Sequence, residues 1–295
     1  MADEAQAGEP TSVESLRDGI LAQVRARQEA AAQPRYSYRR SIVTFIDILG
    51  FRALVGSRPA DEIGRILTIL GEVSAGEVRG NGDHPAGLTR AIMFSDSVVR
   101  VCPIDSGDRQ GALFGELQAL SIVQAQLAEQ GVFLRGGLTV GDVYLQGDLI
   151  FGPAMVRAYE LENSYAIFPR IVVDPAVITA YAEEPAMQGD DNDPEEDVGY
   201  FTTLLREGDD QIPFVDYLTG LQDVLDEPDE YISMLRQHRS RLVAAANALS
   251  GFNNAKQKYL WLASYHNAVC TGLPENVGDV GPLIELDELG SLSTS

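Results

Sequence analysis

The segment that decides the fold runs from Ser41 to Phe51 and reads SIVTFIDILGF. Its β-branched and aromatic residues predict a buried strand from Ser41 to Ile48, and Gly50 predicts a turn after it. One acid, Asp47, lies near the end of this otherwise apolar run. Because a lone buried carboxylate costs several kcal/mol unless it is paired or binds a cation, Asp47 is a candidate site residue.

A second acid occurs in a similar setting within residues 92–99, which read IMFSDSVV. Two short strand-like runs, 88–94 and 97–101, are joined there by a turn that contains Asp96. In the β-α-β-β-α-β order that the pattern predicts, the first strand and this hairpin are neighbours, so Asp47 and Asp96 can face one point. Two carboxylates with a backbone carbonyl suit Mg²⁺ or Mn²⁺. From the residues alone, capping of a turn or a helix by each acid is an equally good explanation.

The rest of the chain is organised around this core. Residues 41–182 are predicted to form an α+β core, ferredoxin-like with the order βααββαβ. Residues 1–40 are expected to be an extension with one amphipathic helix, from about residue 12 to residue 31. Residues 183–295 are expected to supply an acidic loop, a hairpin and C-terminal helices that pack on the core. The helices predicted within the core cover 57–73, 108–130 and 153–163.

The net charge limits the partners. The 295 residues carry 44 acids against 22 lysines plus arginines, a formal net charge of −22. A chain this acidic does not attract duplex nucleic acid or an anionic membrane through its overall field. The sequence has no apolar run long enough to predict a membrane span, and its acidic first residues predict no secretory signal, so a cytoplasmic location is expected. Lysine is rare: Lys256 and Lys258 are the only two.

Several common catalytic motifs do not occur in the sequence. Without a P-loop, a GxGxxG fingerprint or a GxSxG elbow, the residues do not indicate a P-loop NTPase, a dinucleotide enzyme or a hydrolase triad. Cys102 and Cys270 have no metal-site spacing. The three histidines, His84, His238 and His266, show no HxH or HExxH spacing and are predicted to be surface or packing residues.

Four segments resemble the catalytic domain of class III nucleotide cyclases. They are, in chain order, FIDILGF (45–51), FSDSVV (94–99), LRGGLTVGDVY (134–144) and FGPAMVRAYELE (151–162). The resemblance covers about residues 41–175. It implies an enzyme that closes a nucleoside triphosphate into a cyclic nucleotide and releases pyrophosphate.

The resemblance also implies roles for individual residues. Asp47 and Asp96 would be the catalytic residues and, with the backbone carbonyl of Ile48, would hold two divalent ions, Mn²⁺ or Mg²⁺. The turn that follows the first strand would bind the triphosphate through backbone N–H groups, in agreement with the affinity of helix N-termini for anions. The residues of that turn are Leu49, Gly50 and Phe51.

The sequence departs from the purine-specific members of that family. Ile92 stands where they have a base-reading lysine, and Leu149 where they have a second base-reading acid. Their transition-state asparagine and arginine correspond to Val156 and Glu160. Arg157, beside the asparagine position, is a candidate for reaching the triphosphate instead.

With the segments AYELEN (158–163) and FPRIVVDP (168–175), the chain resembles more narrowly the pyrimidine cyclases of bacterial Pycsar antiphage systems. That resemblance implies conversion of UTP to cyclic UMP by a homodimer with active sites at the subunit interface, and a separate effector protein that binds the product. Synthesis of cyclic CMP, a purine cyclase, and a degenerate cyclase fold that only binds a nucleotide remain open. Further candidates for the base or ribose pocket, because each flanks a metal-bearing segment, are Thr44, Phe51 and Arg100.

Overall fold

The computed structural model describes most of the chain as two compact units, Met1–Ser37 and Tyr38–Ser295. In the first unit, residues 17–25 are helical (α1) and their apolar side chains are exposed. This agrees with the middle of the predicted amphipathic helix, and the rest of that prediction lies outside the described residues. The described residues are 17–25, 36–74, 89–107, 109–189, 193–222, 224–225, 227–249, 254–273, 279–281 and 283–289.

An eight-stranded sheet forms the centre of the second unit. The strand order is β2-β3-β1-β4-β6-β8-β7, with β5 paired to β4. Among the described pairings only β4 with β6 is parallel, so the predicted α+β class, with a mainly antiparallel sheet, is confirmed. The strands are β1 (Arg39–Ile48), β2 (Arg90–Phe94), β3 (Ser97–Pro103), β4 (Leu134–Gln146), β5 (Leu149–Phe151), β6 (Ile171–Val173), β7 (Leu205–Glu207) and β8 (Pro213–Val215).

Helices cover both faces of this sheet and continue beyond it towards the C-terminus. None of the helices in the described residues is long and apolar enough to cross a bilayer. The helices are α2 (Phe51–Ser57), α3 (Ala60–Ser74), α4 (Ala112–Glu129), α5 (Pro153–Ser164), α6 (Pro175–Glu183), α7 (Pro194–Thr203), α8 (Tyr217–Gly220), α9 (Pro228–Asn247) and α10 (Asn254–Gly272).

The single helix predicted over residues 57–73 is two helices, α2 and α3. Arg58 between them is extended, with φ −113° and ψ 149°. Pro59 explains the break, because the ring of a proline disfavours the helical conformation in the residue before it. The first helix therefore starts directly after the turn at Gly50, six residues earlier than the apolar periodicity predicts.

The acidic stretch 183–197, expected as a loop, is partly helical. A short 3-10 helix covers Pro185–Met187, and α7 begins at Pro194. The Asp193 carboxylate accepts a hydrogen bond from the backbone N–H of Glu195 at 2.9 Å and so caps α7. Acids in a first helical turn are favoured by the helix dipole, which explains how a run of acids can begin a helix.

Strand β1 has two different faces. Ile42, Ile46 and Ile48 lie in the main apolar core with residues of α4, whereas Val43 lies in a separate apolar cluster with residues of α5, against which Phe45 packs. This is the alternation that a strand with both faces covered must show. Consequently the side chain of an odd-numbered residue of β1 points towards α5.

Helix α5 lies unusually close to β4. A Cβ atom on Gly137 would be 2.4 Å from the Cβ of Leu161 and 2.6 Å from the carbonyl oxygen of Ala158. Only glycine permits this approach, since real Cβ atoms do not come that near. The close packing fixes the C-terminal half of α5 over the strand that neighbours β1.

The C-terminal helices share a second apolar core with the end of β1. We call it the C-terminal cluster; its buried members include Leu49 after β1, Phe133 before β4, Leu235 of α9 and Leu262 of α10. The backbone N–H of Leu49 donates to the carbonyl oxygen of Phe133 at 2.9 Å. The turn after β1 is therefore held between the sheet and the C-terminal helices.

A buried chain of polar side chains lies within these helices. The hydroxyl of Tyr217 is 2.6 Å from Nε2 of His238, whose Nδ1 is 3.1 Å from Nδ1 of His266. Sγ of Cys270 lies 3.4 Å from Nε2 of His266. His238 and His266 are buried, which confirms packing roles for these two; His84 lies outside the described residues.

We expect this histidine pair to make the fold sensitive to mild acid. Burial lowers the pKa of His266 from 6.5 to about 4, with a smaller effect of nearby Arg239, and lowers that of His238 well below 6.5, with an added effect of His266. The unfolded chain therefore binds more protons below pH 6.5, so stability falls as the pH drops from about 6.5 towards 4. Between pH 7 and 5, His266 alone accounts for about 2 kcal/mol.

Urea unfolding at pH 7 and pH 5 measures this effect. The variant His266→Gln cannot titrate at this position and should lose the corresponding share of the pH dependence, whatever its stability at pH 7. Equal or greater stability of the wild type at pH 5 would contradict the expectation.

Candidate active site

Asp47 and Asp96 lie at the same end of neighbouring strands. In the antiparallel β1–β3 pair, Asp47 is directly opposite Ser97, and Asp96 precedes Ser97 in the β2–β3 turn. Ser95 has a positive φ of 61°, so this turn is tight. The structure thus brings together the two acids that the sequence singles out.

The Asp47 carboxylate is half-buried and already has a cationic neighbour. Nε of Arg135 donates to Oδ2 at 3.0 Å, and the hydroxyl of Ser97 is 3.4 Å from Oδ1. Burial raises the pKa of Asp47 and Asp96 adds to the rise, against the opposing effect of Arg135. The Asp96 carboxyl is therefore near enough to Asp47 to influence its charge.

Arg135 joins Asp47 to a second buried acid, Glu162 of α5. Nη2 of Arg135 is 2.7 Å from Oε1 of Glu162, and burial raises the pKa of this carboxyl. Lys258 of α10 interacts electrostatically with Asp47, Arg135 and Glu162. We call these four residues together with Asp96 the charged cluster: three carboxylates and two cations.

Sequence reasoning missed three members of the charged cluster. Arg135 and Glu162 both lie inside segments that resemble the cyclases, and Arg135 is directly opposite Asp47 in the β1–β4 pair. The sequence therefore held information about Arg135, because a half-buried acid needs a polar or cationic partner and an adjacent strand can supply one. Lys258 carries no such signal, because only tertiary packing places α10 beside β1.

The turn after β1 departs in part from the prediction. The N–H of Leu49 is bonded to Phe133 and its side chain lies in the C-terminal cluster, so Leu49 does not offer its amide to a phosphate. Gly50 adopts a left-handed conformation with φ 73° and precedes α2, while Phe51 packs partly against the main core. The Ile48 side chain is buried, which leaves its backbone as the candidate metal ligand.

Thr44 and Arg100 do not contact the candidate site, which corrects their prediction as base or ribose contacts. They are 0% and 1% exposed, respectively, and both bond to Glu116 of α4. The Thr44 hydroxyl donates to Oε1 at 3.1 Å, and Arg100 donates to Oε1 and Oε2 at 2.9 and 2.8 Å. These side chains lie on the α4 face of the sheet, opposite the face on which Asp47 lies.

The Arg157 side chain forms an ion pair outside the charged cluster. Its Nε donates to Oδ2 of Asp174 at 2.7 Å, and the same oxygen accepts the hydroxyl of Thr139 at 2.9 Å. Asp174 also caps α6 through the N–H of Ala176. Within the described chain, the structure does not bring Arg157 to Asp47 and Asp96.

The oxygen donors fit a hard divalent cation. Asp47 and Asp96 supply carboxylates of the kind that Mg²⁺ and Mn²⁺ prefer, with the Ile48 carbonyl beside them. The described residues contain no group of three or more His, Cys, Asp or Glu side chains arranged to hold a metal. A cation there would take its remaining ligands from water and phosphate oxygens, as Mg²⁺ commonly does.

Comparison with known proteins gives only distant likenesses. No family model matches the sequence and no curated protein does. Among solved structures, a bacterial light-regulated adenylyl cyclase matches with 14% identity and a TM-score of 0.38, over 58% of this chain and 59% of that chain. A guanylyl cyclase matches with 15% identity and a TM-score of 0.35, over 49% and 79% of the two chains.

A third likeness is to a class III adenylyl cyclase-like ATP-binding protein from Pseudomonas aeruginosa, with 12% identity, a TM-score of 0.34 and coverage of 49% and 35%. The match to the light-regulated adenylyl cyclase covers about three-fifths of that protein's length. TM-scores below 0.5 assign neither fold nor activity, so the function is argued from the residues of this chain.

Proposed function

We propose that this protein is a metal-dependent nucleotide cyclase that converts UTP to cyclic UMP and pyrophosphate. One observation carries the proposal: two carboxylates, Asp47 and Asp96, lie together at the ends of neighbouring strands, beside a turn that leads into α2. Two neighbouring partly buried carboxylates repel each other, and a bound cation would offset that repulsion. The strand order β4-β1-β3-β2 in one half of the sheet, which ends at the edge strand β2, also supports a ferredoxin-like core.

In the proposed reaction the ribose 3′-oxygen attacks the α-phosphorus. The 3′-hydroxyl gives up its proton to water, a new P–O bond closes the ring, the bond between the α-phosphorus and the bridging oxygen of the β-phosphate breaks, and pyrophosphate leaves with those electrons. Asp47 and Asp96 would hold two divalent ions, which when bound lower the pKa of the 3′-hydroxyl and neutralise charge on the phosphates. Arg135, fixed by Asp47 and Glu162, supplies permanent positive charge beside the phosphates.

The pyrimidine preference rests on apolar residues at the base-reading positions. Ile92 is buried and pairs in register with Val99, and Leu149 is exposed on the three-residue strand β5. Neither side chain can hydrogen-bond to the polar edge of a purine. The site therefore lacks the contacts by which purine cyclases select their base, and the choice of UTP follows from the resemblance of the sequence to the pyrimidine cyclases.

A homodimer is part of the same proposal. Large apolar side chains are exposed on β2, β5 and α5. Exposed apolar side chains of this kind mark interaction surfaces, and a second copy of the chain would cover them. A separate effector protein would bind the cyclic product. The exposed residues are Met93, Phe94, Leu149, Phe151, Val156 and Tyr159.

Incubation of the purified protein with UTP, CTP, ATP or GTP and Mn²⁺, followed by mass spectrometry, tests the proposal. We expect cyclic UMP and one equivalent of pyrophosphate. Cyclic CMP or a cyclic purine nucleotide as the main product would retain the cyclase and overturn the UTP preference. Nucleotide binding without pyrophosphate release from any of the four would identify a binding protein and refute the cyclase.

A further inference from the structure

Helix α10 brings a lysine to the charged cluster from far along the chain. Tyr259 packs edge-on against Phe133, with ring centroids 5.9 Å apart, and Phe133 accepts the N–H of Leu49, two residues after Asp47. Lys258 precedes Tyr259 and is half-buried. Residue 258 therefore lies near the end of β1, and the charge of Lys258 interacts with those of Asp47, Arg135 and Glu162.

Lys258 differs from the other cation of the cluster in its bonding. The Arg135 guanidinium is bound to Asp47 at 3.0 Å and to Glu162 at 2.7 Å. Within the part of the chain that the structure describes, the Lys258 ammonium makes neither a hydrogen bond nor an ion pair. A half-buried ammonium without a partner is unfavourable, and an anionic ligand would compensate for the lost hydration.

Charge explains which ligand suits this position. Three carboxylates and two cations give the cluster a formal charge of −1, which changes to +1 when one divalent cation is added. An anion with several negative oxygens then becomes the favoured ligand, and the compact ammonium of lysine is a common phosphate-binding group. A polyphosphate chain satisfies both conditions.

We propose that Lys258 of α10 binds the terminal phosphates of the substrate, so that the C-terminal helices complete the active site within the same chain. The inference rests on the proposed function, because it assigns a phosphate-binding residue to the same site. Lys258 would also supply a cation in a chain in which Val156 and Glu160 occupy the positions of the asparagine and arginine of purine cyclases.

Calorimetric titration of the full-length protein with inorganic tripolyphosphate in the presence of Mn²⁺ tests the inference. Lys258→Met should weaken binding about tenfold to a hundredfold, since the loss is that of one charge-assisted hydrogen bond. Lys258→Arg keeps the charge and should stay within a few-fold of the wild type. The matched control is Arg39→Met. Arg39 lies at the opposite end of β1, about 26 Å from Asp47, so this variant should bind tripolyphosphate with the wild-type affinity.

Thermal unfolding separates this role from a purely structural one. If Lys258 only neutralised the acids of the cluster, Lys258→Met would lower the melting temperature without changing tripolyphosphate affinity, and the inference would be wrong. We expect an unchanged or higher melting temperature, since a poorly solvated charge is removed. With the nucleoside triphosphate that the enzyme cyclises as substrate, the KM of Lys258→Met should rise about tenfold or more while kcat changes less.

The outcomes keep the two proposals apart. A wild type that binds tripolyphosphate through Lys258 but forms no cyclic product would refute the cyclase and retain the phosphate site. A wild type that forms cyclic product while Lys258→Met keeps both KM and tripolyphosphate affinity would refute the role of Lys258 alone. A wild type that does not bind tripolyphosphate would also overturn that role.

Discussion

Replacing Asp96 with asparagine is expected to lower the rate of cyclic nucleotide formation about a thousandfold or more without unfolding the protein. The substitution keeps the size of the side chain and removes a negative charge beside Asp47, the two groups that would hold the cations. The stabilisation of transition-state charge that bound cations supply amounts to several kcal/mol, and each 1.4 kcal/mol corresponds to about tenfold in rate. Asp96 is in an intermediate position in a turn, so the fold should tolerate the change.

Product formation measured by mass spectrometry at saturating UTP and Mn²⁺ tests this expectation, and a Mn²⁺ titration adds a readout that does not depend on turnover. Asp47→Asn should cause a similar loss of rate, although the loss of its bond to Arg135 also affects stability. Asp209→Asn is the matched control, because Asp209 is exposed in the β7–β8 turn. An Asp96→Asn protein with near-normal rate and Mn²⁺ affinity would refute the metal assignment.

Replacing Arg100 with methionine is expected to lower the free energy of unfolding by about 3–5 kcal/mol, because it leaves Glu116 as an uncompensated buried charge. Arg100 is almost fully buried and bonds to both carboxylate oxygens of Glu116, with Thr44 on one of them. At permissive temperature, the folded variant should keep the wild-type KM, since these side chains lie on the α4 face of the sheet.

Denaturant unfolding compares this variant with two others. Arg39→Met breaks an exposed pair with Asp105 and should cost no more than about 1 kcal/mol. The double variant Arg100→Met/Glu116→Leu should recover much of the lost stability, because it removes both charges at once. If Arg100→Met has normal stability but a raised KM, then Arg100 contacts the nucleotide and its assignment to the core is wrong.

The position of the central strand and the proximity of Asp47 and Asp96 could be predicted because their signal is local. An apolar β-rich run that contains one acid predicts both the strand and a site residue, and hairpin proximity predicts that Asp96 lies near Asp47. The face on which Thr44 lies could also be predicted, since Thr44 is three positions before Asp47 and a period of two puts the two side chains on opposite faces. The face on which Arg100 lies follows from that of Thr44, because the two residues are directly opposite each other in the β1–β3 pair.

The remainder of the site depends on contacts that are distant in sequence. Lys258 reaches the charged cluster only because α10 packs on Phe133, and no periodicity in α10 carries that information. The unavailability of the Leu49 amide likewise follows from a single long-range hydrogen bond to Phe133. The prediction of secondary structure was wrong where a single residue overrode the apolar periodicity, as Pro59 does between α2 and α3.

The C-terminal cluster determines how this chain can be divided. Leu49 and Phe133 belong to the segments that carry the candidate site, yet the side chains that cover them come from α9 and α10. A fragment that ends near residue 182 would leave this apolar surface in water, and it would also lack β7 and β8, which continue the sheet beyond β6. The resemblance to the cyclases, about residues 41–175, therefore covers only part of the unit that folds, which extends to the C-terminal helices.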